Sequence, residues 1–269
     1  MKSPWQRRVR RAQELMERHA FVTEILGFYG QIAAFQEDLH QHLSRALPQS
    51  QSDSVHLELT GEELSALGGQ FEAFLSLTKD HGPTALAELS TDLRARDQSL
   101  WLELLSAAWS APAPSDALTV LAQAFLQPYA ELLRSSSVHH GAAFNRLSGN
   151  FAVCPFCMRK PALGVLRQMG DGAARSMVCS FCLSEWDFRR LVCPGCGEEN
   201  DQKLPVFTAS DFDYIRVECC DTCKTYIKTI DLTKNGRAEP IVDELASVPL
   251  DLWARERGYA KLHVNLLGM

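Results

Sequence analysis

Apolar residues in the first half of the chain recur every three or four positions, which is the spacing of one helix face. The clearest run consists of Phe21, Ile25, Phe28, Tyr29, Ile32 and Phe35. A basic amphipathic segment from Trp5 to Met16 precedes this run, and Pro48 and the polar stretch Gln49 to Ser54 follow it. This pattern predicts two helices at the start of the chain.

Further helical patterns follow, separated by Gly82-Pro83 and by the residues 112–114. Ser115 is a candidate N-cap for the last of them. The segments predicted to be helical are 61–79, 84–94, 99–109 and 116–133. No repeat of fixed period is present in the sequence, so an irregular helical bundle is favoured over a helical solenoid.

The pattern changes after the Ser-rich segment 135–150, which has the composition of a linker. Short alternating runs predict strands at 164–168, 175–178, 186–192, 204–208, 214–218 and 226–230. After Gly236 the spacing is helical again. The predicted fold class is therefore α+β, with a helical domain and linker at 1–150, a β region, and a short helical tail at 236–269.

Charge and composition exclude several classes of protein. The chain has 27 Lys and Arg against 33 Asp and Glu, for a net charge of −6, so a general affinity for nucleic acid is not expected. No apolar run approaches the roughly 18 residues of a membrane span. The basic N-terminus lacks the apolar segment of a secretion signal. We therefore expect a cytoplasmic protein with no membrane insertion.

Cysteine is the residue type most unevenly distributed along the chain. All nine cysteines lie between Cys154 and Cys223, and eight of them form Cys-x-x-Cys pairs. In a reducing cytosol such pairs are typical of four-thiolate metal sites. The candidate metal ligands are Cys154, Cys157, Cys179, Cys182, Cys193, Cys196, Cys220 and Cys223.

The spacing of the pairs favours two tandem metal sites. The segments 158–178 and 197–219 are each long enough for a two-stranded excursion, whereas only residues 183–192 separate the inner pairs. Sequential pairing gives one four-cysteine ribbon at 151–192 and a second at 193–235. An interleaved arrangement, first pair with third and second with fourth, remains an alternative.

The ligand set alone does not distinguish iron from zinc, because both ions accept tetrahedral sulfur. The turn Cys193-Pro-Gly-Cys196-Gly197 is similar to a rubredoxin turn, in which the last glycine lets the backbone approach the sulfur. The other three turns have Met158, Leu183 and Lys224 at that position. The rubredoxin likeness is therefore strongest at the third pair.

Other chemistry-bearing residues have simpler interpretations. Cys219 is expected to face the core rather than to react, and the pair His139-His140 is expected to be solvated in the linker. No nucleotide-binding or hydrolase motif occurs in a suitable context. From 151 to 223 there are eight basic and ten acidic residues, a balance that favours a protein partner over nucleic acid.

Several motifs in the cysteine region and the tail are shared with a known family. They are Cys182-Leu-Ser-Glu185-Trp186 through Arg190 to Cys193, Cys220-Asp-Thr-Cys223-Lys-Thr-Tyr226-Ile-Lys228, Asp243-Glu-Leu-Ala-Ser247 with Leu250-Asp251, and Gly258-Tyr259-Ala260. Weaker similarity at Phe28-Tyr29 and Gln36 extends the likeness over most of the chain. On these residues the chain resembles the bacterial formate dehydrogenase accessory protein family, FdhE.

This resemblance implies a function and a cofactor. It implies a cytoplasmic assembly factor, not itself an enzyme, that binds the catalytic subunit of a respiratory formate dehydrogenase. It also implies two iron ions in rubredoxin-type sites, with zinc as the alternative, held by the eight paired cysteines. The competing classes are a nucleic-acid-binding zinc ribbon and a dithiol oxidoreductase, in which one pair would be free of metal and exposed.

Overall fold

The computed structural model describes residues 2–46, 61–136 and 152–269. The chain forms two compact units: one contains the residues up to 137 together with 266–269, and the other contains 138–265. Among the described residues, no helix is both long enough and apolar enough to cross a bilayer. The predicted linker from residue 137 onwards, which includes His139-His140, lies outside the described residues.

The first unit is helical, as the apolar spacing predicts. Consecutive helices pack in pairs, α1 with α2, α3 with α4 and α5 with α6, and α2 also contacts α6. The described helices are α1 (Pro4–Arg18), α2 (Thr23–Ala46), α3 (Gly61–His81), α4 (Thr84–Arg94), α5 (Gln98–Ser110) and α6 (Ala117–Ser136).

Aromatic side chains from α3 and α6 meet in the core of this unit. The ring of Phe125 lies 5.0 Å from that of Phe71 and 5.6 Å from that of Phe74, and all three side chains are fully buried. Each large apolar side chain buried in this way contributes roughly 1.5–3 kcal/mol. The core therefore explains why the helices hold together despite an irregular arrangement.

The start of α6 differs from the sequence expectation. The side chain of Asp116, rather than that of Ser115, accepts the hydrogen bond from the backbone N–H of Thr119 at 2.8 Å. Both residue types make good N-caps, so sequence alone does not separate adjacent candidates. The N-cap prediction was wrong by one residue.

The second unit is built on one sheet with the strand order β3-β2-β1-β6-β5-β4, and the short strand β7 pairs in parallel with the start of β6. Its helices are α7 (Pro240–Ala246) and α8 (Val248–Glu256). The strands are β1 (Pro161–Met169), β2 (Gly172–Cys179), β3 (Glu185–Asp187), β4 (Val206–Ala209), β5 (Phe212–Cys220), β6 (Thr225–Asp231) and β7 (Ala260–Lys261).

Two antiparallel hairpins are joined into this sheet by a parallel pairing. β1 pairs with β2 and β4 pairs with β5, both antiparallel, whereas β1 pairs in parallel with β6. The apolar side of β5 and β6, which includes Ile215 and Tyr226, packs with Leu250 and Ala254 of α8. The C-terminal helices therefore cover the sheet that carries the cysteine turns.

One strand prediction was too long. The sequence predicts a strand at 186–192, but β3 ends at Asp187. Beyond it, the backbone carbonyls of Arg189 and Val192 accept hydrogen bonds from the guanidinium of Arg175, at 3.0 and 3.1 Å. A side chain thus satisfies backbone groups that a strand ladder would otherwise pair.

Candidate metal centres

Both cysteine clusters have the same construction, a turn, two strands and a second turn. In the first cluster one turn precedes β1 and the other follows β2, and in the second cluster the turns flank β4 and β5 in the same way. The antiparallel hairpin returns the chain to its starting end, so the two turns of each cluster face each other. The hairpin therefore positions all four sulfurs at one end of the strands.

The sulfur atoms group as the sequential pairing predicts. The Sγ atoms of each group lie within 4.8 Å of one another. The interleaved alternative is excluded by this grouping. One group consists of Cys154, Cys157, Cys179 and Cys182, and the other of Cys193, Cys196, Cys220 and Cys223.

The distances between sulfurs are those of metal ligands rather than of disulfides. The Sγ atoms of Cys154 and Cys182 lie 3.6 Å apart, and those of Cys193 and Cys223 lie 3.7 Å apart. A disulfide would require about 2.05 Å. Four sulfurs placed tetrahedrally about 2.3 Å from one ion are separated by about 3.8 Å. Each cluster therefore fits a four-coordinate zinc or iron ion without rearrangement.

Backbone groups in the turns support thiolate ligands. The N–H groups of Phe156 and Phe181 each donate to the first sulfur of their turn, both at 3.4 Å, and that of Gly195 donates to Cys193 Sγ at 3.3 Å. A hydrogen bond donated to a thiolate favours its charged form. The turns are thus suited to hold deprotonated sulfur, the form that binds metal.

The residue after each turn adopts the left-handed conformation, whether or not it is glycine. The φ angle is +80° at Gly197, +62° at Met158, +55° at Leu183 and +54° at Lys224. The rubredoxin-like backbone is therefore present at all four turns, although the sequence made it evident only at the third. Non-glycine residues pay a steric penalty for this conformation.

The two centres differ in their exposure to solvent. In the first cluster Cys154, Cys179 and Cys182 are buried, whereas in the second Cys196 is exposed and Cys223 is half-buried. Burial by itself raises the pKa of the Cys223 thiol, but hydrogen bonds involving Thr225 outweigh this effect and lower the pKa to about 7. The second centre is thus the more accessible one.

A buried arginine lies beside the first centre. The Arg159 guanidinium stands 3.5 Å from the centroid of the Phe181 ring. Its burial lowers its pKa, while the neighbouring cysteine thiolates act to raise it. A four-thiolate site with a divalent ion has a net charge of about −2. A cation in contact with the turn therefore offsets part of the charge that such a buried centre would have.

Cys219 and Glu185 both have structural roles. Cys219 is buried in the apolar cluster formed by β5, β6 and α8, as expected, and burial raises the pKa of its thiol to about 12. The carboxylate of Glu185 accepts two hydrogen bonds of 2.9 Å from Arg167 and a third from Ser176. Glu185 therefore fastens the edge strand β3 to its neighbours.

A buried charge network was missed by sequence reasoning. The Lys228 ammonium is fully buried on β6 and donates to Asp251 Oδ2 at 2.7 Å and to Ser247 Oγ at 3.0 Å, and it lies 3.0 Å from Glu244 Oε1. Lys261 on β7 pairs with the same two carboxylates. Alternation along β6 places Lys228 on the same face as Tyr226, so this lysine is the hub of a polar cluster within the covered face of the sheet.

This network ties the fourth cysteine turn to the C-terminal helices, because β6 begins directly after Cys223. The hydroxyl of Tyr226 donates to Asp251 Oδ1 at 2.7 Å. Burial would raise the pKa of Glu244, but the ammonium groups of Lys228 and Lys261 outweigh it and lower the pKa to about 2. The sequence did contain a signal for this network, because the motifs on which the family resemblance rests include Lys228, Ser247 and Asp251.

Fold and site together define a class of protein: a helical unit followed by a β unit with two four-cysteine clusters that can hold metal ions. Comparison with known proteins narrows this class. Residues 153–190 match the model "FdhE, central domain" and residues 191–267 match "FdhE, C-terminal domain". An FdhE homologue from Aquifex aeolicus is 30% identical over 92% of this chain and 87% of its own. The chain belongs to the FdhE family.

A second relative covers less of the sequence, whereas a solved structure covers nearly all of it. An FdhE homologue from Pseudomonas putida is 33% identical over 45% of this chain and 39% of its own length. The crystal structure of the FdhE protein from Pseudomonas aeruginosa superposes with a TM-score of 0.68, covers 99% of this chain and 96% of that one, and has 22% sequence identity. That similarity concerns the fold alone.

Proposed function

We propose that this protein is a cytoplasmic accessory protein that binds the catalytic subunit of formate dehydrogenase during its maturation and that is not itself an enzyme. Membership of the FdhE family supports the assignment to an accessory role. The observation that carries it is the pair of four-sulfur clusters, which fit two resident metal ions. All eight paired cysteines act as ligands in this proposal, and none is a catalytic residue.

The competing functions are less consistent with the site. A dithiol oxidoreductase needs an available pair, whereas each turn lies within a four-sulfur group. A nucleic-acid-binding ribbon needs a cationic face, whereas the region 151–223 has two more acidic than basic residues. A protein partner fits the charge of this region better.

We propose iron as the resident metal, in two rubredoxin-type sites, with zinc as the alternative. The left-handed residue after each turn supports the rubredoxin likeness at all four positions. Elemental analysis and an absorption spectrum of anaerobically purified protein test this assignment. Two iron ions per chain with visible thiolate-to-iron charge-transfer bands are expected, whereas colourless protein with two zinc ions would contradict iron.

The adjacent residues Cys219 and Cys220 allow a matched test of partner binding. Metal-loaded protein is expected to co-purify with the catalytic subunit of formate dehydrogenase under anaerobic conditions. Cys220→Ala removes one of four sulfurs and is expected to lose the second metal and the partner. Cys219→Ala keeps all eight ligands and is expected to retain both. Failure of the wild-type protein to bind the subunit would overturn the proposed function.

A further inference from the structure

A groove of about 600 Å³, including its open mouth, lies between the hairpins of the two cysteine clusters. Its lining comes from β1, β2, β4, β5 and β6 and from the segment 190–194 that joins the clusters. Cys193 and Cys220 of the second cluster also line the groove, so part of it borders that metal centre.

Apolar side chains line one part of the groove and remain exposed. Leu191 is 61% exposed and Val206 is 43% exposed, although both are large and apolar. Buried Leu166 and Val192 continue the same apolar lining. Exposed apolar side chains that border a concave apolar surface are typical of interaction sites.

Three arginines contribute positive charge to the groove. Arg175, Arg190 and Arg216 line it together with a single carboxylate, that of Glu218. Arg175 is buried, pairs with Glu218 and also faces Cys193 of the second cluster, and Arg216 Nε lies 3.8 Å from Glu218 Oε1. Charges within the chain therefore already engage Arg175 and Arg216.

Arg190 differs from these two arginines. Its side chain is exposed, and in the described part of the chain no carboxylate forms an ion pair with it. The neighbouring Arg189, by contrast, makes hydrogen bonds of 2.8 and 3.1 Å to Glu199 and is not part of the groove lining. Arg190 is thus the groove cation available to a partner.

We propose that this groove binds an extended polypeptide segment of a partner protein, one that presents an apolar side chain with an acidic side chain beside it. The apolar side chain packs between Leu191 and Val206, and the carboxylate pairs with Arg190. This inference rests on the proposed function, because it assigns the surface that contacts the immature enzyme.

Peptide binding to the metal-loaded full-length protein tests the groove directly. The probes are fluorescein-labelled eight-residue peptides that alternate Leu with Asp, and a matched series in which Lys replaces Asp. Fluorescence anisotropy is expected to show at least tenfold tighter binding of the acidic peptide. Equal binding of the two peptides, or tighter binding of the Lys peptide, would overturn the proposal.

Paired variants locate the contact. Arg190→Gln and Leu191→Asp are each expected to weaken binding of the acidic peptide at least fivefold. Arg189→Gln changes the adjacent arginine, and Leu252→Asp changes an exposed leucine of α8 outside the groove, so both controls are expected to stay within twofold. Equal losses in controls and groove variants would contradict the assignment. Metal content and circular dichroism verify that each variant is folded, and Arg190→Gln removes no ion pair among the residues that the structure describes.

Co-purification with the catalytic subunit separates the two proposals. If the wild-type protein does not bind the subunit, the proposed function fails. If the wild-type protein binds it and the Arg190→Gln and Leu191→Asp variants bind it equally well, the groove proposal fails while the accessory function stands. The expected result is that the wild-type protein and both controls retain the subunit and the two groove variants lose it.

Discussion

At the scale of single residues, backbone conformation and buried charge are decisive. Met158, Leu183 and Lys224 hold left-handed conformations that glycine would adopt without strain. Each of these left-handed conformations costs roughly 1–2 kcal/mol, and the interactions that close the cysteine turn must offset this cost. At the other extreme, Lys228 keeps a charge in a fully buried position because two carboxylates and a hydroxyl surround it.

Exchange of residues at the left-handed positions tests the strain. Met158→Gly is expected to raise the free energy of unfolding of the metal-loaded protein by about 0.5–1 kcal/mol. Glycine has no steric penalty in the left-handed conformation, and the methionine side chain that is lost is exposed. Gly197→Ala is expected to lower it by about 1 kcal/mol through backbone strain alone, since nothing lies within 4 Å of the added Cβ. Urea denaturation measures both, and shifts of the same sign would contradict the explanation.

The buried network predicts a large effect for one lysine. Lys228→Met is expected to lower the free energy of unfolding by about 3–5 kcal/mol, because it leaves the buried carboxylates of Glu244 and Asp251 without one of their two cations. The control is Lys203→Met, which removes an exposed ammonium 3.8 Å from Glu198 and is expected to change the urea midpoint far less. Similar midpoints for the two variants would show that the network adds little stability.

At the scale of elements, α6 carries a proline that its partner helix accommodates. Pro128 lacks an N–H group, so the carbonyl of Ala124 loses its partner within the helix. The side-chain amide of Gln36 on α2 donates to that carbonyl at 2.7 Å, in a fully buried position. Gln36 is therefore a polar residue on the apolar face of α2 because Pro128 removes a hydrogen bond from α6.

A double-mutant cycle tests this relation. Gln36→Leu is expected to destabilise the protein by about 1–3 kcal/mol, since it leaves a buried carbonyl without a partner. The same substitution in a Pro128→Ala background is expected to cost less, because the restored N–H satisfies Ala124. Thermal unfolding measures the coupling. The exposed Gln41→Leu on the same helix serves as control, and additive effects at 36 and 128 would contradict the relation.

At the scale of the whole molecule, the two units differ in what stabilises them. The helical unit has a core of large aromatic side chains. The second unit has short strands, a charged core beneath α7 and α8, and eight sulfurs arranged for metal. Because four-sulfur sites bring metal-binding free energy into folding, the second unit is expected to depend on its ions far more than the first.

Metal removal is therefore expected to act on one part of the chain. Anaerobic treatment with a strong chelator should abolish hydrogen-exchange protection in β1 to β6, while the helices α1 to α6 remain protected. Exchange measured by mass spectrometry with peptide resolution distinguishes the two units. Equal loss of protection in both, or full protection of the strands without metal, would contradict this expectation.

The sequence by itself determined the helices, the hairpins and the spacing of the eight paired cysteines. Helix bounds follow from apolar spacing, so α4 coincides with the predicted segment 84–94. Loop lengths favoured the sequential pairing of the cysteines, and the positions of the sulfurs in the structure excluded the interleaved one. These features depend on neighbours along the chain, which a sequence records directly.

Only the tertiary structure decided the rest. The parallel pairing of β1 with β6, the burial of Lys228 and the contact of Gln36 with Ala124 join residues far apart in sequence. Alternation places Lys228 on the same strand face as Tyr226, and the carboxylates that pair with it come from α7 and α8, which lie later in the chain. The groove beside Arg190 likewise exists only because two hairpins share one sheet, since no single segment contains its walls.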